Sequence, residues 1–328
     1  MQEAINLALK GSADVRPNPK VGCILVKNKE IIGKGYHKKY GGYHAEVNAF
    51  NYCIKKYGKD KAVELLSDAT AYITLEPCSI FSKTPPCTSS LIKYGVKNVF
   101  CASLDPNKKI NGKGVKILRE NGINVEVGLL KEQALSINQD FFFRHKKGRP
   151  FIRMKIAQSL DAKIALSSGD SKWITSKKSR DDVQEIRKSS DGILVGSGTI
   201  LKDNPRLNVR KNITSINGKQ PKKIILGSSF LTKENDLKIY DGKSEVIICS
   251  QEFSSYSKKD NLIKLPIKKN STLKDTLKEL SKHELNSILV EGGSKVFTSF
   301  LKEGLVDELI LYISPKFLGK DSIDSLFI

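Results

Sequence analysis

The sequence predicts an α/β protein of two layered domains, and three observations carry that expectation. Strand-like apolar runs alternate with amphipathic helical stretches along nearly the whole chain. At 328 residues the chain exceeds the usual size of one hydrophobic core. The stretch "FFFRHKKGRP" (141–150) mixes three aromatics with five basic residues and ends on Gly148 and Pro150, a composition break that marks a junction. The expected domains are 1–145 and 146–328, with the three phenylalanines packing at the junction rather than stacking on bases.

In chain order, a helix over 1–10 precedes strands "VGCILVK" (21–27) and "IIGKGYH" (31–37), joined by a turn at 28–30. Gly41 and Gly42 break the chain before a helix over 44–58. Strand "ATAYITLE" (69–76) runs into a cysteine-bearing loop. A helix near 88–94, strand "VKNVFCAS" (96–103), a helix near 112–121 and strand "INVEVG" (123–128) complete the first domain. In the second, "FIRMKIAQSLD", "GILVGS", "KKIILGS", "EVIICS", "LIKLPI", "SILVEGG" and "DELILYIS" read as strands. Helices are expected near 177–189, 272–283 and 294–303.

Fifty-six basic against 35 acidic residues give a net charge of +21, a field that attracts phosphates. The lysines are dispersed and form no dense arginine-rich block, so a phosphorylated small molecule is expected and a nucleic-acid partner is not. No apolar run approaches the roughly 20 residues that a bilayer span requires. The N-terminus lacks the basic start and apolar centre of a signal peptide, and a cytoplasmic location follows. Of six cysteines, Cys23, Cys101 and Cys249 sit in apolar strands and Cys53 in a helix, as buried small hydrophobes.

The remaining two lie in "LEPCSIFSKTPPC" (75–87), downstream of "GGYHAEVNAF" with its His44 and Glu46. One imidazole and two thiolates leave the fourth tetrahedral position of zinc open, the arrangement of a catalytic site. Zinc would bring the pKa of water toward neutrality, and Glu46 would move the proton without coordinating. Residues two apart in a helix diverge, so His44 and Glu46 converge only if His44 sits at the helix opening, where Gly41 and Gly42 suggest it does. A lone His-Ala-Glu is mostly ordinary helix surface. Followed by Glu-Pro-Cys after an apolar strand, it fits the zinc deaminase signature.

Eight residues separate the two cysteines, where nucleobase deaminases have two. With "RPNPKVGCILV" upstream and "KIAQSLDAKIA", "GDSKWITS", "DNPRL" and "VEGG" downstream in order, the chain resembles the bifunctional riboflavin-biosynthesis deaminase/reductase family over nearly its whole length. The resemblance implies a cytidine-deaminase-like layered domain followed by a dihydrofolate-reductase-like domain. It implies His44, Cys78 and Cys87 as ligands of Zn2+ and Glu46 as the proton shuttle. Asn18 would hydrogen-bond the pyrimidine, though as a turn residue it has a structural reading too. Lys83 would approach the substrate phosphate. Ile80 and Ser82 replace the family's His and Gly, a departure that bears on loop shape and substrate contact rather than on the metal.

In the second half no G-x-G-x-x-G follows a strand, so the usual dinucleotide fingerprint is absent. Gly292-Gly293 at a helix opening would let backbone amides approach a pyrophosphate, although a generic strand-to-helix turn looks similar. By the resemblance the cofactor is NADPH, contacting Ala157, Trp173, Thr199, Asp203, Gly293, Ser294, Lys295, Val296, Phe297, Thr298 and Ser299. Substrate would meet Lys155, Ser171, Arg187, Leu207, Arg210 and Glu291, the arginines gripping phosphate through paired hydrogen bonds. Arg187 also reads as an exposed helix residue. Ala162 stands where the family has glycine. The chain stops at "KDSIDSLFI", earlier than members of the family usually do.

The implied activity is deamination of a phosphorylated diaminopyrimidine, then reduction of its ribosyl group, by a homo-oligomer. Two competitors are a reductase with an impaired deaminase half and a nucleic-acid-binding base deaminase.

Overall fold

Period-two apolar runs in the first half assemble one sheet, and near-continuous apolar runs in the second half assemble another. The computed structural model describes residues 1–81, 85–170, 174–210, 220–227 and 236–326. Two units divide the chain, Met1–Lys146 and Lys147–Ile328.

In the first unit, α1 (Gln2–Ala8) precedes β1 (Gly22–Lys27) and β2 (Glu30–Tyr36). The β1–β2 turn is made by Asn28 and Lys29, both left-handed at φ 50° and 67°, which suits the right-handed twist of a hairpin. Next come α2 (Ala45–Tyr57), α3 (Lys59–Leu66), β3 (Thr70–Ile73), α4 (Cys87–Lys93), β4 (Asn98–Cys101), α5 (Lys113–Glu120) and β5 (Asn124–Val127). The unit closes with α6 (Lys131–Ser136) and α7 (Gln139–Lys147). Strand order is β2-β1-β3-β4-β5, with β3, β4 and β5 parallel and β1 antiparallel to both neighbours. Cys23, Cys53 and Cys101 are buried in the core with Leu25, Phe50, Ile73 and Leu91.

Helix α2 is pressed against β2 because β2 offers glycines where side chains would collide. A Cβ on Gly35 would lie 2.3 Å from the Ala45 carbonyl oxygen, and one on Gly33 would lie 2.7 Å from that of Ala49. The chain therefore enters α2 with His44 as the residue capping its start, extended at φ −70°, ψ 169°.

In the second unit, β6 (Phe151–Ser159), β7 (Lys163–Ala165), α8 (Lys177–Ser189), β8 (Gly192–Gly196), α9 (Ser197–Asp203) and β9 (Lys222–Leu226) come first. They are followed by β10 (Val246–Ser250), β11 (Ser257–Lys259), β12 (Leu262–Pro266), α10 (Leu273–Ser281), β13 (Ser287–Val290), α11 (Ser294–Lys302), β14 (Glu308–Ser314) and β15 (Ile323–Asp324). Eight strands form one sheet in the order β11-β12-β10-β9-β8-β13-β6-β14, parallel except at β11. Strands β10 and β13 are buried along their whole length. Ser176 caps α8 and a Thr272–Asp275 capping box opens α10. At the sheet's entry, Asp307 accepts two hydrogen bonds from Arg149 at 2.6 and 2.9 Å and a third from the Ile152 N–H at 2.8 Å.

The stretch after β8 reads in sequence as a small-residue loop. It folds instead as α9, because Thr199, Ile200, Leu201 and Lys202 tolerate a helix and Asn204 supplies the left-handed stop at φ 40°. Among the described residues, no helix is long and apolar enough to cross a membrane.

Two substitutions test this packing. Gly35→Ala forces α2 off β2, and is expected to lower stability by about 1–3 kcal/mol in urea denaturation. Ala162 is left-handed at φ 60°, so Ala162→Gly is expected to raise the urea midpoint by the equivalent of up to about 1 kcal/mol.

Candidate functional site

His44, Cys78 and Cys87 each bring one donor atom to a common point, all within 4.8 Å of one another. The His44 Nδ1 lies 3.3 Å from the Cys87 Sγ and 3.5 Å from the Cys78 Sγ. Three elements converge here: the start of α2, the segment after β3, and the first residue of α4. The Cys87 backbone N–H donates to the Cys78 Sγ at 3.3 Å, favouring thiolate there. The Cys78 thiol is pulled down to about 4, chiefly by its hydrogen bond from Cys87, with His44 adding and burial opposing. The Cys87 thiol's own hydrogen bond to the Cys78 sulfur, the leading cause of that shift, together with burial pushes Cys87 up. His44 is raised by its hydrogen bond to Cys78, against burial. One imidazole and two sulfurs this close, already competing for protons, form a donor set that fits zinc with a position left over.

Glu46, 3% exposed, lies beside this cluster. Burial pushes its carboxyl up, with His44 opposing. A cavity of about 210 Å³ opens onto it, lined by His44, Glu46, Cys78 and Asn18, all expected from sequence. The same wall includes His37, Ile80, Asp105, Asn107 and Phe141; the sequence singles out Ile80 for its place in the cysteine loop and Phe141 only as a junction residue. Lys83 lies outside the described residues.

The His37 ring links two of these groups. Its Nδ1 lies 3.0 Å from the Tyr43 carbonyl oxygen, which can only accept, so Nδ1 carries the proton. Its Nε2, 3.1 Å from the Asn18 Nδ2, is then an acceptor. This fixes the Asn18 amide with its nitrogen toward His37 and leaves the Oδ1 for another donor. Burial lowers the His37 pKa, consistent with a neutral ring. Asp105 is pushed up to about 6 by burial, partly offset by the Asn107 N–H.

Glu76 borders the same cavity but is held by backbone. Its carboxylate accepts from the backbone N–H groups of Asp105, Gly112, Gly114 and Val115 at 3.0, 2.9, 2.9 and 3.3 Å. A Cβ on Gly114 would lie 2.2 Å from the Pro77 carbonyl oxygen, so only glycine lets the loop close this tightly.

In the second unit a cavity of about 620 Å³ lies at the carboxyl ends of β8, β13 and β6. Lys155, Ala157, Thr199, Asp203 and Glu291 line it, and so does the opening of α11 at Gly293, Ser294, Lys295, Val296 and Phe297. Thr298 is buried instead, and Ser299 faces a neighbouring cavity of about 600 Å³ that shares Lys295 and Val296 with the first. The helical turn accounts for the split, since consecutive residues point about 100° apart. Ser171 and Trp173 lie outside the described residues.

Arg187 and Glu291, both expected at substrate, pair with each other through two hydrogen bonds of 2.6 Å, their side chains 11% and 7% exposed. Although burial works against it, Arg187 with Lys155 and Arg210 holds the Glu291 carboxyl at about 2. Arg210 is exposed, and its backbone N–H donates to the Gln184 Oε1 at 2.9 Å. The Leu207 side chain sits in the core beside Ile193 and Ile225. At Gly292 a Cβ would meet the buried Val195 side chain at 2.7 Å, so glycine lets this turn pack onto β8, and Gly293 at φ +74° takes the left-handed conformation that opens α11. Strand ends, a glycine-opened helix start and lysines at 155, 202 and 295 fit a phosphorylated dinucleotide.

Residues 150–327 match the family model described as RibD C-terminal domain, and residues 1–103 match the cytidine and deoxycytidylate deaminase zinc-binding region. Riboflavin biosynthesis protein RibD of Buchnera aphidicola subsp. Baizongia pistaciae is 44% identical, covering 97% of this chain and 87% of the relative. That of Escherichia coli K12 is 38% identical, covering 98% and 88%. Among solved structures, Acinetobacter baumannii RibD superposes with a TM-score of 0.87 at 35% identity, over 100% of this chain and 89% of the other. A Thermotoga maritima diaminohydroxyphosphoribosylaminopyrimidine deaminase/5-amino-6-(5-phosphoribosylamino)uracil reductase superposes at 0.82 with 38% identity, over 99% and 88%.

The buried pair predicts an acid response. The folded pKa of Glu291, about 2, lies below the ordinary value of about 4.3. The stabilisation is therefore complete above the unfolded value and lost as pH falls through the folded one. Near neutrality, Glu291→Gln is expected to lower stability by about 3–5 kcal/mol, because Arg187 is left buried and unpaired. In urea denaturation across a pH series, the gap from wild type should close between about pH 4 and about pH 2.

Proposed function

The chain belongs to the RibD family of bifunctional riboflavin biosynthesis proteins, and on that premise we propose how its residues divide the work. The protein is a zinc-dependent deaminase and an NADPH-dependent reductase. It hydrolyses the 2-amino group of 2,5-diamino-6-ribosylamino-4(3H)-pyrimidinone 5′-phosphate and reduces the ribosyl group of the product to ribityl. Residues 1–145 serve the first reaction and 146–328 the second.

The observation that carries the deaminase reading is the meeting of His44, Cys78 and Cys87 within 4.8 Å beside a buried Glu46. These three side chains hold zinc, which supplies Lewis acidity and makes water acidic near neutral pH. Asn18, its amide set by His37, accepts from a ring N–H and holds the pyrimidine edge. Glu46 takes the proton as water adds at C2 and gives it to the departing amine, so ammonia leaves and a carbonyl remains. Burial keeps Glu46 basic enough to accept that proton, and bulk water is excluded from the transfer. Lys83 meets the substrate phosphate.

In the second unit, the α11 opening from Gly293 through Ser299, with Ala157, Trp173, Thr199 and Asp203, holds NADPH, which supplies the hydride. Lys155, Ser171, Arg187, Leu207, Arg210 and Glu291 hold the phosphosugar. Glu291, fixed and kept ionised by Arg187, offers a carboxylate to sugar hydroxyls, while Lys155 and Arg210 bring positive charge to the substrate. Positioning C1′ against the nicotinamide and excluding water are the protein's main contributions.

A cytoplasmic homo-oligomer completes this reading, and the dispersed lysines and a deaminase cavity of only about 210 Å³ favour a small-molecule substrate over a nucleic-acid partner.

Glu46→Gln tests it. Ammonia release from the diaminopyrimidine is expected to fall by roughly 10²–10⁴-fold, with metal content unchanged. NADPH oxidation with the deaminated substrate should continue at the wild-type rate. Wild-type protein that binds zinc but releases no ammonia would overturn the deaminase assignment.

A further inference from the structure

The wall of the deaminase cavity includes a side chain from far outside the zinc-binding region. Phe141 belongs to α7, and the family match for that region ends at residue 103. Read in sequence, Phe141 belongs to a trio expected to pack at a domain junction. In the structure it lines the same cavity as Asn18, His44 and Glu46.

The placement of Phe141 is built. Asn138, 8% exposed, sits one residue before α7 and clamps the backbone of Lys20: the Lys20 N–H donates to its Oδ1 at 2.7 Å, and its Nδ2 donates to the Lys20 carbonyl at 2.8 Å. Lys20 is two residues from Asn18, so this clamp fixes the first turn of α7 against the segment that carries Asn18. The Phe142 N–H continues the helix by donating to the Asn138 carbonyl at 3.1 Å. The Phe141 ring is braced edge-on by Phe142 at 5.8 Å and His145 at 4.6 Å between centroids.

The chemistry of the ligand supplies the rest. A diaminopyrimidinone is polar around its rim and apolar on its two faces. Asn18, Asp105 and Asn107 can meet the rim. A face needs a flat apolar partner, and among the described lining residues Phe141 is the only phenylalanine, tyrosine or tryptophan.

We propose that Phe141 is a substrate-contacting residue on whose ring the pyrimidine stacks, with Asn138 as the positioning residue that aligns this wall with Asn18. The inference rests on the deaminase reading above. Stacking of a base on an aromatic ring changes affinity by roughly 5- to 100-fold. Because that contact is equal in ground and transition states, its loss raises KM and leaves kcat.

The test uses the full-length zinc-loaded protein. Phe141→Ala and Phe141→Leu are expected to raise KM for ammonia release by roughly 5- to 100-fold, with kcat, metal content and the reductase rate unchanged. Phe141→Tyr should restore KM. Asn138→Ala should raise KM in the same sense, again without metal loss. A readout independent of turnover is saturation-transfer NMR with 2,5,6-triaminopyrimidin-4-one, a base without the phosphosugar. Its signal should be lost in Phe141→Leu and kept in Phe141→Tyr. Wild-type KM and an undiminished NMR signal in Phe141→Leu would overturn the proposal, as would a fall in kcat and zinc content with KM unchanged, the mark of a scaffold residue. Absence of ammonia release from the zinc-loaded wild type would instead sink the deaminase reading itself.

Discussion

Glu76 gathers four backbone N–H groups from a stretch that begins 29 residues further along the chain, and the deaminase unit is organised around that act. The two residues after it explain why the position matters. Pro77 and Cys78 follow directly, so the carboxylate that binds the 105–115 loop also fixes where a sulfur is presented. Asp105, the first residue of that loop, thereby reaches the cavity wall. A buried carboxylate with no such partners would be expensive to desolvate; here the amides take the place of water. The Glu-Pro-Cys run thus carries a structural duty in its first residue and a chemical one in its third.

The reductase unit solves a related problem by another route. Glu291 is also buried at the end of an apolar strand, but it is balanced by a guanidinium rather than by amides. Burying both ions brings little net stability, since desolvation offsets attraction. What the pair provides is a carboxylate that stays charged and stays put at the edge of the cavity. The α11 opening beside it contributes through backbone alone, which is why glycine at 292 and 293 matters more there than any side chain.

The alternation of elements in both halves was legible because apolar periodicity survives without tertiary knowledge, and most strands and long helices lie where it places them. Some short helices were not: residues 59–66 follow Gly58 directly, 131–136 carry too few apolar positions to announce a face, and α9 hides behind glycine and serine. Among site residues, His44, Glu46, Cys78 and Cys87 could be read from spacing because metal chemistry restricts both the residue types and their order. His37, Asp105, Asn107 and Phe141 could not, for each reaches the cavity only through a fold that brings distant segments together. Leu207 and Thr298 add a further point: the resemblance assigns them to ligand, and with their side chains buried only their backbone is left to meet it.

The size of the deaminase cavity has a further consequence. About 210 Å³ is of the size of a heterocycle rather than of a whole phosphorylated nucleoside-like molecule, and on the proposed reading the sugar phosphate extends from the mouth toward Lys83. The cavity of about 620 Å³ in the other unit is the roomier one, and on the same reading it receives the sugar end together with the dinucleotide. Two volumes so unequal let each reaction select a different end of one metabolite.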